Sequence, residues 1–285
     1  MSGMSDYAYR IVNVFALPGQ RLTGNPLCVF EAGSGLDDAT MQALALQFNL
    51  SETTFILPSQ QADARVRIFT PTFEMPFAGH PTLGTSHVLR ALTGKDALQL
   101  EMLSGLIHVQ AQGDRWTLRA NAPTVRKVQA SRAQLAEMLG LNEADVGEPA
   151  LWVNTGSEQL VVPLTSAAAL DRCQPVAALL REHGRLHAGR YLVYVFARMQ
   201  QRAVRARFFF DKNGQVIEDP ATGSACANLG GYLWQLSHRP SEALEIAQGE
   251  HIGRPSLLSL HVDDEGRSHV GGHVIELGRG TVGLP

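Results

Sequence analysis

The chain has 285 residues, a length that predicts about two domains, each large enough to bury its own core. Apolar residues make up 45% and charged residues 18%, and the formal net charge of -3 gives no reason to expect nucleic acid or an anionic membrane as a partner. The start of the chain lacks the pattern of a signal peptide, no run approaches the roughly 20 apolar residues that span a bilayer, and the three cysteines are far apart. We therefore expect a cytoplasmic protein without a disulfide framework or a structural zinc site.

The first half of the chain predicts strands around two helices. The predicted strands are 9–15, 27–30, 51–57 and 65–69, followed by a hairpin of 98–111 and 115–120 that turns at Gly113-Asp114. Asp37 and Asp38 can cap a helix that reaches Phe48, because apolar residues recur there at three-and-four spacing. A second helix is predicted over 80–92.

The second half repeats this order of elements. Its predicted strands are 151–153, 160–163, 191–197, 204–210, 256–262, 268–270 and 273–276, and its predicted helices are 176–182 and 224–235. The linker candidate 121–124 divides the chain into domains 1–121 and 122–285, with the final strands free to return to the first half. Many antiparallel strands with one main helix in each half predict an α+β fold. A Rossmann fold is disfavoured, because no GxGxxG follows the first strand.

The clearest feature of the sequence is an internal repeat. Both copies read Arg-x-Arg-apolar-Phe, a variable gap, and then Glu-x-Pro-x-x-Gly, and both run into a helical pattern. The first copy begins at Arg65 and ends at Gly79, and the second begins at Arg205 and ends at Gly223. Two related halves predict a pseudo-symmetric enzyme with its site between them. The arginines of the repeat are interpreted as a solvated or paired strand face.

The two glycine turns are the first candidates for chemistry. A helix that begins directly after a turn exposes backbone N–H groups and a partial positive charge, which favour a carboxylate or a developing oxyanion. Gly79 and Gly223 would allow a ligand to approach the backbone, while Thr222 and Ser224 would add hydroxyl donors. One such turn is more often only a well-capped helix, but two copies at matched positions favour a functional site.

Four side chains near these turns each have a structural interpretation as well. Taken alone, the Ser51–Phe55 segment favours Glu52 as a solvated strand-end carboxylate over a desolvated acid/base. His80 is more often a helix-start histidine with a structural hydrogen bond than a proton relay. Asp219 precedes Pro220 and can simply brace the turn. Cys226 is best explained as a packed helix residue. Spacing alone thus predicts a site without a reaction.

Four blocks of sequence, however, resemble the phenazine-biosynthesis isomerase (PhzF-like) family. They are Asn25-Pro26-Leu27-Cys28-Val29-Phe30, Ser51-Glu52-Thr53-Thr54-Phe55, Pro76-Phe77-Ala78-Gly79-His80-Pro81-Thr82-Leu83-Gly84 and Glu218-Asp219-Pro220-Ala221-Thr222-Gly223-Ser224-Ala225. Gln248-Gly249 and the segments 253–256 and 271–272 match its C-terminal pattern, so the resemblance spans nearly the whole chain.

The resemblance implies a diaminopimelate-epimerase-like fold, in which each half is a curved, mostly antiparallel sheet around a central helix. It implies that Glu52 is the acid/base and that His80, Asp219 and Ser224 line the substrate pocket between the halves. We count Glu52, His80 and Asp219 as catalytic candidates. The substrate-binding candidates are Asn25, Gly79, Thr222, Gly223 and Ser224. The resemblance also implies a homodimer.

Related epimerases and racemases carry a cysteine just before each turn glycine, and those positions are Ala78 and Thr222 here. Without two opposed thiols, stereoinversion is disfavoured. A single carboxylate can instead move a proton between two carbons and shift a double bond, which needs neither metal nor cofactor. We therefore expect a cofactor-independent isomerase of a small amino- or hydroxy-carboxylic acid. The alternatives are an epimerase or racemase that uses Glu52 with His80, and a non-catalytic carboxylate-binding module.

Two segments depart from the family pattern. Thr72-Phe73 places a large aromatic side chain in a loop near the proposed cleft, where it is expected to affect pocket shape. The segment 211–214 resembles a hairpin turn, but its place relative to the site does not follow from the sequence.

Overall fold

A computed structural model describes residues 4–186, 189–200 and 202–284. The chain forms two compact units: unit 1 runs to Leu118 and resumes at Gly271, and unit 2 is Arg119–Val270. The sequence predicted a boundary after residue 121. In the structure unit 1 ends slightly earlier, and the last strand of the chain returns to it.

The α-helices in the described residues are α1 (Asp38–Phe48), α2 (Gly79–Thr93), α3 (Arg132–Leu139), α4 (Ala167–Arg172), α5 (Ala177–His183) and α6 (Gly223–Ser237). The strands of the first half are β1 (Ser5–Ala16), β2 (Asn25–Phe30), β3 (Thr53–Leu57), β4 (Ala64–Phe69), β5 (Glu74–Met75), β6 (Ala97–Met102), β7 (Gly105–Gln112) and β8 (Arg115–Arg119). The remaining strands are β9 (Thr124–Lys127), β10 (Leu151–Asn154), β11 (Glu158–Pro163), β12 (Leu192–Gln200), β13 (Ala203–Lys212), β14 (Gln215–Asp219), β15 (Ser241–Gln248), β16 (Ser256–Val262) and β17 (Ser268–Leu284).

Unit 1 contains a closed barrel of eight strands. Strand β1 pairs with β2, β2 with β3, β3 with β4, β4 with β6, β6 with β7 and β7 with β8. Strand β17 pairs with both β8 and β1 and so closes the ring. The β2–β3 and β4–β6 pairs are parallel, because a helix crosses over between their strands.

Helix α2 is the buried helix of unit 1. Ten of its residues are buried, and it packs against β1, β2 and β3. Gly84 allows this approach, because a Cβ at that position would lie only 2.5 Å from Leu27 and 2.9 Å from Val14. On the opposite side of these strands, Met41 and Leu44 of α1 pack in a cluster with Phe30. The strands of this region are therefore covered on both faces.

Unit 2 repeats the scheme. Its pairing order is β9, β10, β11, β12, β13, β15, β16. The β11–β12 and β13–β15 pairs are parallel and correspond to the β2–β3 and β4–β6 pairs of unit 1. Helix α6 has nine buried residues and packs against β9, β10, β11, β15 and β16. The predicted α+β fold with two similar halves is confirmed. Gly79 and Gly223, which the repeat aligns, are the first residues of helices that both span 15 residues.

The repeated arginine and glutamate form an equivalent clasp in each unit. Arg67 donates two hydrogen bonds to Glu74 and lies over the Phe69 ring, 4.9 Å from its centroid. In unit 2, Arg207 donates two hydrogen bonds to Glu218, and its guanidinium lies over the ring of Phe209 at 4.7 Å. The paired-face interpretation holds for these two arginines. Each clasp joins a strand to the short strand before the glycine turn.

Several local predictions were wrong or incomplete. The predicted arm 98–111 is two strands, because the chain turns between Met102 and Gly105, where Gly105 adopts a φ of 117°. Strand β17 is continuous where two short strands were predicted. Helices α3 and α4 and strand β15 were not predicted. The 211–214 turn is confirmed as the β13–β14 hairpin, with positive φ at Asn213 and Gly214.

Within the described residues, no helix has the length and apolar character needed to cross a membrane. The same part of the chain holds no cluster of three or more histidine, cysteine or carboxylate side chains with the geometry of a metal site.

Candidate active site

Unit 1 brings Glu52 and His80 into direct contact. Glu52 follows α1, which ends at Phe48 with Asn49 in a left-handed conformation, and it immediately precedes β3. His80 is the second residue of α2 and is only 4% exposed. His80 Nδ1 lies 3.0 Å from Glu52 Oε2. That oxygen is buried, and none of the described residues gives it a well-directed hydrogen bond.

The contact made by the other ring nitrogen of His80 shows which nitrogen carries a hydrogen. His80 Nε2 lies 3.2 Å from the backbone oxygen of Pro26 on β2. A carbonyl can only accept a hydrogen bond, so Nε2 carries a proton. Nδ1 is then the ring nitrogen that faces Glu52 Oε2.

Gly79 and Asn25 lie beside this pair. Gly79 begins α2 after the Ala78 cap, and the N–H groups of Gly79 and His80 have no partner inside the helix. The third residue, Pro81, has no N–H to offer. Asn25 is the first residue of β2, is 1% exposed and precedes the proline whose carbonyl contacts His80.

Unit 2 groups the remaining candidates at the start of α6. The Thr222 hydroxyl donates to Asp219 Oδ2. Gln248, on β15 and 1% exposed, donates from Nε2 to the Thr222 hydroxyl and to the Asp219 carbonyl, both at 3.0 Å. Asp219 therefore braces the turn, as one interpretation of the sequence allowed. The Thr222 hydroxyl hydrogen is used inside this group.

Ser224 is arranged differently from Thr222. It is the second residue of α6, and its Oγ accepts a hydrogen bond of 2.8 Å from Gln159 Nε2 on β11. Its hydroxyl hydrogen is thus available for another acceptor. The N–H groups of Gly223, Ser224 and Ala225 have no partner inside the helix, since the first helical bond runs from Cys226 to Thr222.

The cysteines take no part in either group. Ala78 and Thr222 are the cap residues of α2 and α6, and neither carries a thiol. Cys226 is fully buried, and desolvation raises the pKa of its thiol far above the physiological range. Cys226 therefore packs in the helix, as predicted, and is not a thiolate base.

The sequence did not reveal Gln159 or Asn228, and it indicated Gln248 only through the family pattern. Gln159 is a buried amide next to the apolar run Leu160-Val161-Val162. It is also the second residue of β11, as Pro26 is of β2. Extending the internal repeat to these two strands would have singled out Gln159.

Comparison with known proteins assigns the family. The family model described as "Phenazine biosynthesis-like protein" (PhzC-PhzF) matches residues 12–278. The chain belongs to this family. Over 99% of its length, the PhzF-family chain is 41% identical to an uncharacterized isomerase of Pasteurella multocida, of which it covers 96%. It is 37% identical to the trans-2,3-dihydro-3-hydroxyanthranilate isomerase of Pseudomonas aeruginosa, over 90% of this chain and 92% of that protein.

Solved structures agree with the fold. A PhzF-family protein of Bacillus anthracis superposes with a TM-score of 0.87 at 24% identity, covering 98% of this chain and 99% of that one. A hydroxyproline epimerase of Agrobacterium vitis shares the fold, with a TM-score of 0.63 at 13% identity and coverage of 98% and 93%. The diaminopimelate-epimerase-like fold class is confirmed, and this PhzF-family protein is an isomerase.

Proposed function

We propose that this PhzF-family protein is a cofactor-independent isomerase that moves a proton, and with it a double bond, in a small amino- or hydroxy-carboxylic acid. Glu52 is the single acid/base of the reaction. The observation that carries the proposal is the 3.0 Å contact between Glu52 Oε2 and His80 Nδ1, which places an imidazole beside a largely buried carboxylate.

This pair suits transfer between two carbons of one substrate. The Glu52 carboxylate takes a proton from the first carbon, the electrons of that C–H bond form a new double bond, and the existing double bond shifts. Glu52 then returns the proton to the carbon at the far end. His80 keeps its Nε2 proton on Pro26 throughout, and its Nδ1 adjusts to either state of Glu52.

The start of α6 suits the substrate's carboxylate. The N–H groups of Gly223, Ser224 and Ala225, which have no partner inside the helix, and the Ser224 hydroxyl are all donors at the positive end of a helix dipole. A donor of this kind contributes about 2.7–4 kcal/mol where charge develops in a transition state. Asp219 and Asn25 complete the proposed site.

The curated relatives supply a chemical class for the substrate. Relatives from three Pseudomonas species, 34–37% identical to this chain, are trans-2,3-dihydro-3-hydroxyanthranilate isomerases. That compound is a cyclic, unsaturated amino acid with a hydroxyl group, so it offers a carboxylate for the donors and a C–H bond for the base. We propose a substrate of this class for the present protein.

The alternative of an epimerase that uses Glu52 with His80 fits the geometry poorly. Stereoinversion needs an acid and a base on opposite faces of one carbon, each about 3–3.5 Å from it in a near-attack arrangement. Groups that touch each other at 3.0 Å cannot lie on opposite sides of a carbon. The binding-module alternative is separated from the isomerase only by a test for turnover.

The test is proton exchange in heavy water. The wild-type protein is incubated with trans-2,3-dihydro-3-hydroxyanthranilate and a panel of related amino and hydroxy acids, and deuterium uptake is followed by NMR. Glu52→Gln removes the base while keeping the shape of the side chain. Glu137→Gln on the exposed face of α3 is the matched control.

We expect deuterium at a new carbon with the wild type and with Glu137→Gln, and a loss of at least about 10³-fold with Glu52→Gln, since general acid–base catalysis contributes 10²–10⁴-fold. Uptake at a stereocentre with inversion would instead establish an epimerase. Saturable binding without exchange of any compound would establish the binding module.

A further inference from the structure

We propose that Gln159, oriented by Asn228, is a positioning residue that makes the Ser224 hydroxyl a hydrogen-bond donor to the substrate carboxylate. The inference rests on the proposed role of the α6 start in carboxylate binding. It concerns a series of hydrogen-bonded side chains that begins at Thr155, just after β10, and passes through Asn228 on α6 and Gln159 on β11 to Ser224.

Asn228 is the fixed end of this chain. It is fully buried on α6, five residues after Gly223. Its Oδ1 accepts from the Thr155 backbone N–H at 2.9 Å and from the Thr155 hydroxyl at 2.7 Å. Its Nδ2 donates to the Ser157 carbonyl at 2.8 Å. A backbone N–H can only donate and a backbone carbonyl can only accept, so the two ends of the Asn228 amide cannot be exchanged.

The direction of the next hydrogen bonds follows from that anchor. The second hydrogen of Asn228 Nδ2 is donated to Gln159 Oε1 at 2.7 Å. With its oxygen on that side, Gln159 presents Nε2 to Ser224 and donates to Oγ at 2.8 Å. Gln159 is only 2% exposed, so water does not readily replace either bond. Ser224 Oγ is therefore an acceptor on its protein side.

A hydroxyl that accepts in this way must point its hydrogen elsewhere. None of the described residues accepts a hydrogen bond from Ser224. A carboxylate has only acceptor atoms, so the hydrogen of Ser224 is what such a ligand needs. If Gln159 presented its oxygen instead, the hydroxyl would donate to Gln159, and a lone pair would face the anion. The hydrogen bonds from Asn228 and Gln159 thus decide whether Ser224 presents a hydrogen or a lone pair to the ligand.

Unit 1 contains an equivalent arrangement. Pro26 and His80 are the second residues of β2 and α2, while Gln159 and Ser224 are the second residues of β11 and α6. In each unit the strand residue contacts the helix residue and decides which of its atoms carries a hydrogen. In unit 1 it assigns a proton to His80 Nε2, and in unit 2 it leaves a hydrogen on Ser224 free.

The test is a double-mutant cycle with Gln159→Glu and Ser224→Ala. The substituted carboxylate keeps the size of glutamine but can only accept, so it reverses the last hydrogen bond. Binding of 3-hydroxyanthranilate, the aromatic analogue of the relatives' substrate, is measured by calorimetry, and KM and kcat are measured with substrates that turn over. Gln42→Glu is the control, because its amide donates to the Thr70 carbonyl and to no proposed site residue within the described residues.

We expect Ser224→Ala to weaken binding about 10- to 100-fold and Gln159→Glu to weaken it at least as much, with the loss in KM rather than in kcat. In the Ser224→Ala background, Gln159→Glu should cost at least about fivefold less than in the wild type. The cost that remains in the Ser224→Ala background is direct repulsion between the substituted carboxylate and the ligand. Subtracting it leaves the effect that acts through Ser224. Gln42→Glu should change binding less than twofold.

Equal costs of Gln159→Glu in both backgrounds would overturn the inference, as would a wild type that does not bind the analogue. If Gln159→Glu does not fold, Gln159→Met tests the same cycle without a charge. Failure of the proposed reaction is detected separately. If the protein binds the analogue but exchanges no proton, the isomerase is refuted, while the binding cycle still shows whether Ser224 donates to the ligand.

Discussion

The two Arg–Glu clasps predict a difference in stability between matched substitutions, Glu218→Gln in unit 2 and Glu74→Gln in unit 1. The clasps share their sequence pattern and their stacked phenylalanine, but they differ in burial. The side chains of Arg207 and Glu218 are 9% and 6% exposed, whereas those of Arg67 and Glu74 are 12% and 23% exposed. The unit 2 pair is therefore the drier of the two.

The remaining partners of each arginine set the magnitude. Arg207 also donates to the carbonyls of Leu170 and Cys173, at 3.0 and 2.7 Å, but Glu218 is the one carboxylate that it contacts within the described residues. Loss of one partner of a buried ion pair costs 3–5 kcal/mol, and glutamine keeps one acceptor, so we expect about 3 kcal/mol for Glu218→Gln. Arg67 keeps the exposed Asp38 carboxylate at 2.6 Å, so Glu74→Gln should cost about 1 kcal/mol.

The assay is urea unfolding followed by circular dichroism, with thermal unfolding beside it. A loss of 3 kcal/mol for Glu218→Gln corresponds to a fall of roughly 6–12 °C in Tm for a unit of this size. The smaller loss for Glu74→Gln corresponds to about 2–4 °C. Equal losses for the two variants would refute the argument that burial decides how much each clasp contributes to the free energy of unfolding. Arg207→Met combined with Glu218→Leu should recover part of the loss, because it leaves no unpaired charge.

Three further predictions concern packing and titration. Gly84→Ala should destabilise unit 1 by about 1–3 kcal/mol in urea, because its Cβ would overlap Leu27 and Val14; a neutral effect would contradict the close approach of α2. Desolvation lowers the pKa of His87, so the unfolded chain binds its proton more readily, and stability should fall as pH drops below about 6.5. Unfolding of His87→Gln at several pH values should show a flatter profile, and an unchanged profile would exclude His87 as the cause. Burial raises the pKa of Cys173 to about 12 and those of Cys28 and Cys226 further, so a thiol reagent should label no cysteine in the native protein and all three after denaturation. Rapid labelling of Cys226 in the native state would reopen thiol chemistry at α6.

The sequence predicted the main helices and most strands because their signals are local. Asp37 caps α1 through Thr40, as expected of an aspartate before an apolar three-and-four pattern, and α2 and α6 follow glycines aligned by the repeat. Helix α3 was missed although Ser131 and Gln134 form a capping box, a signal that was present but not used. The break in 98–111 was missed because the apolar alternation continues on both sides of the turn at Gly105.

The site was only partly predictable, for a different reason. Glu52 and His80 were found through the family pattern, since neither segment alone favours a functional interpretation over a structural one. Their contact joins residues of different elements and follows from no local spacing. Gln159 and Asn228 carry no motif, and their importance comes from the direction of hydrogen bonds between strand and helix.

The proposed function assigns two kinds of chemistry to two units that share one scaffold. In each, a strand residue orients the second residue of a buried helix, but in unit 1 that residue is a histidine that touches a carboxylate, and in unit 2 it is a serine held by amides. Amides and alcohols are not bases near neutral pH, so the side chains from Asn228 to Ser224 can donate hydrogen bonds to an anion but cannot deprotonate a carbon. In the proposed reaction, Glu52 in contact with His80 supplies the base. In the proposed function, the proton chemistry therefore belongs to Glu52 in unit 1 and the anion donors to the start of α6 in unit 2, and a single acid/base moves a proton between two carbons rather than inverting one.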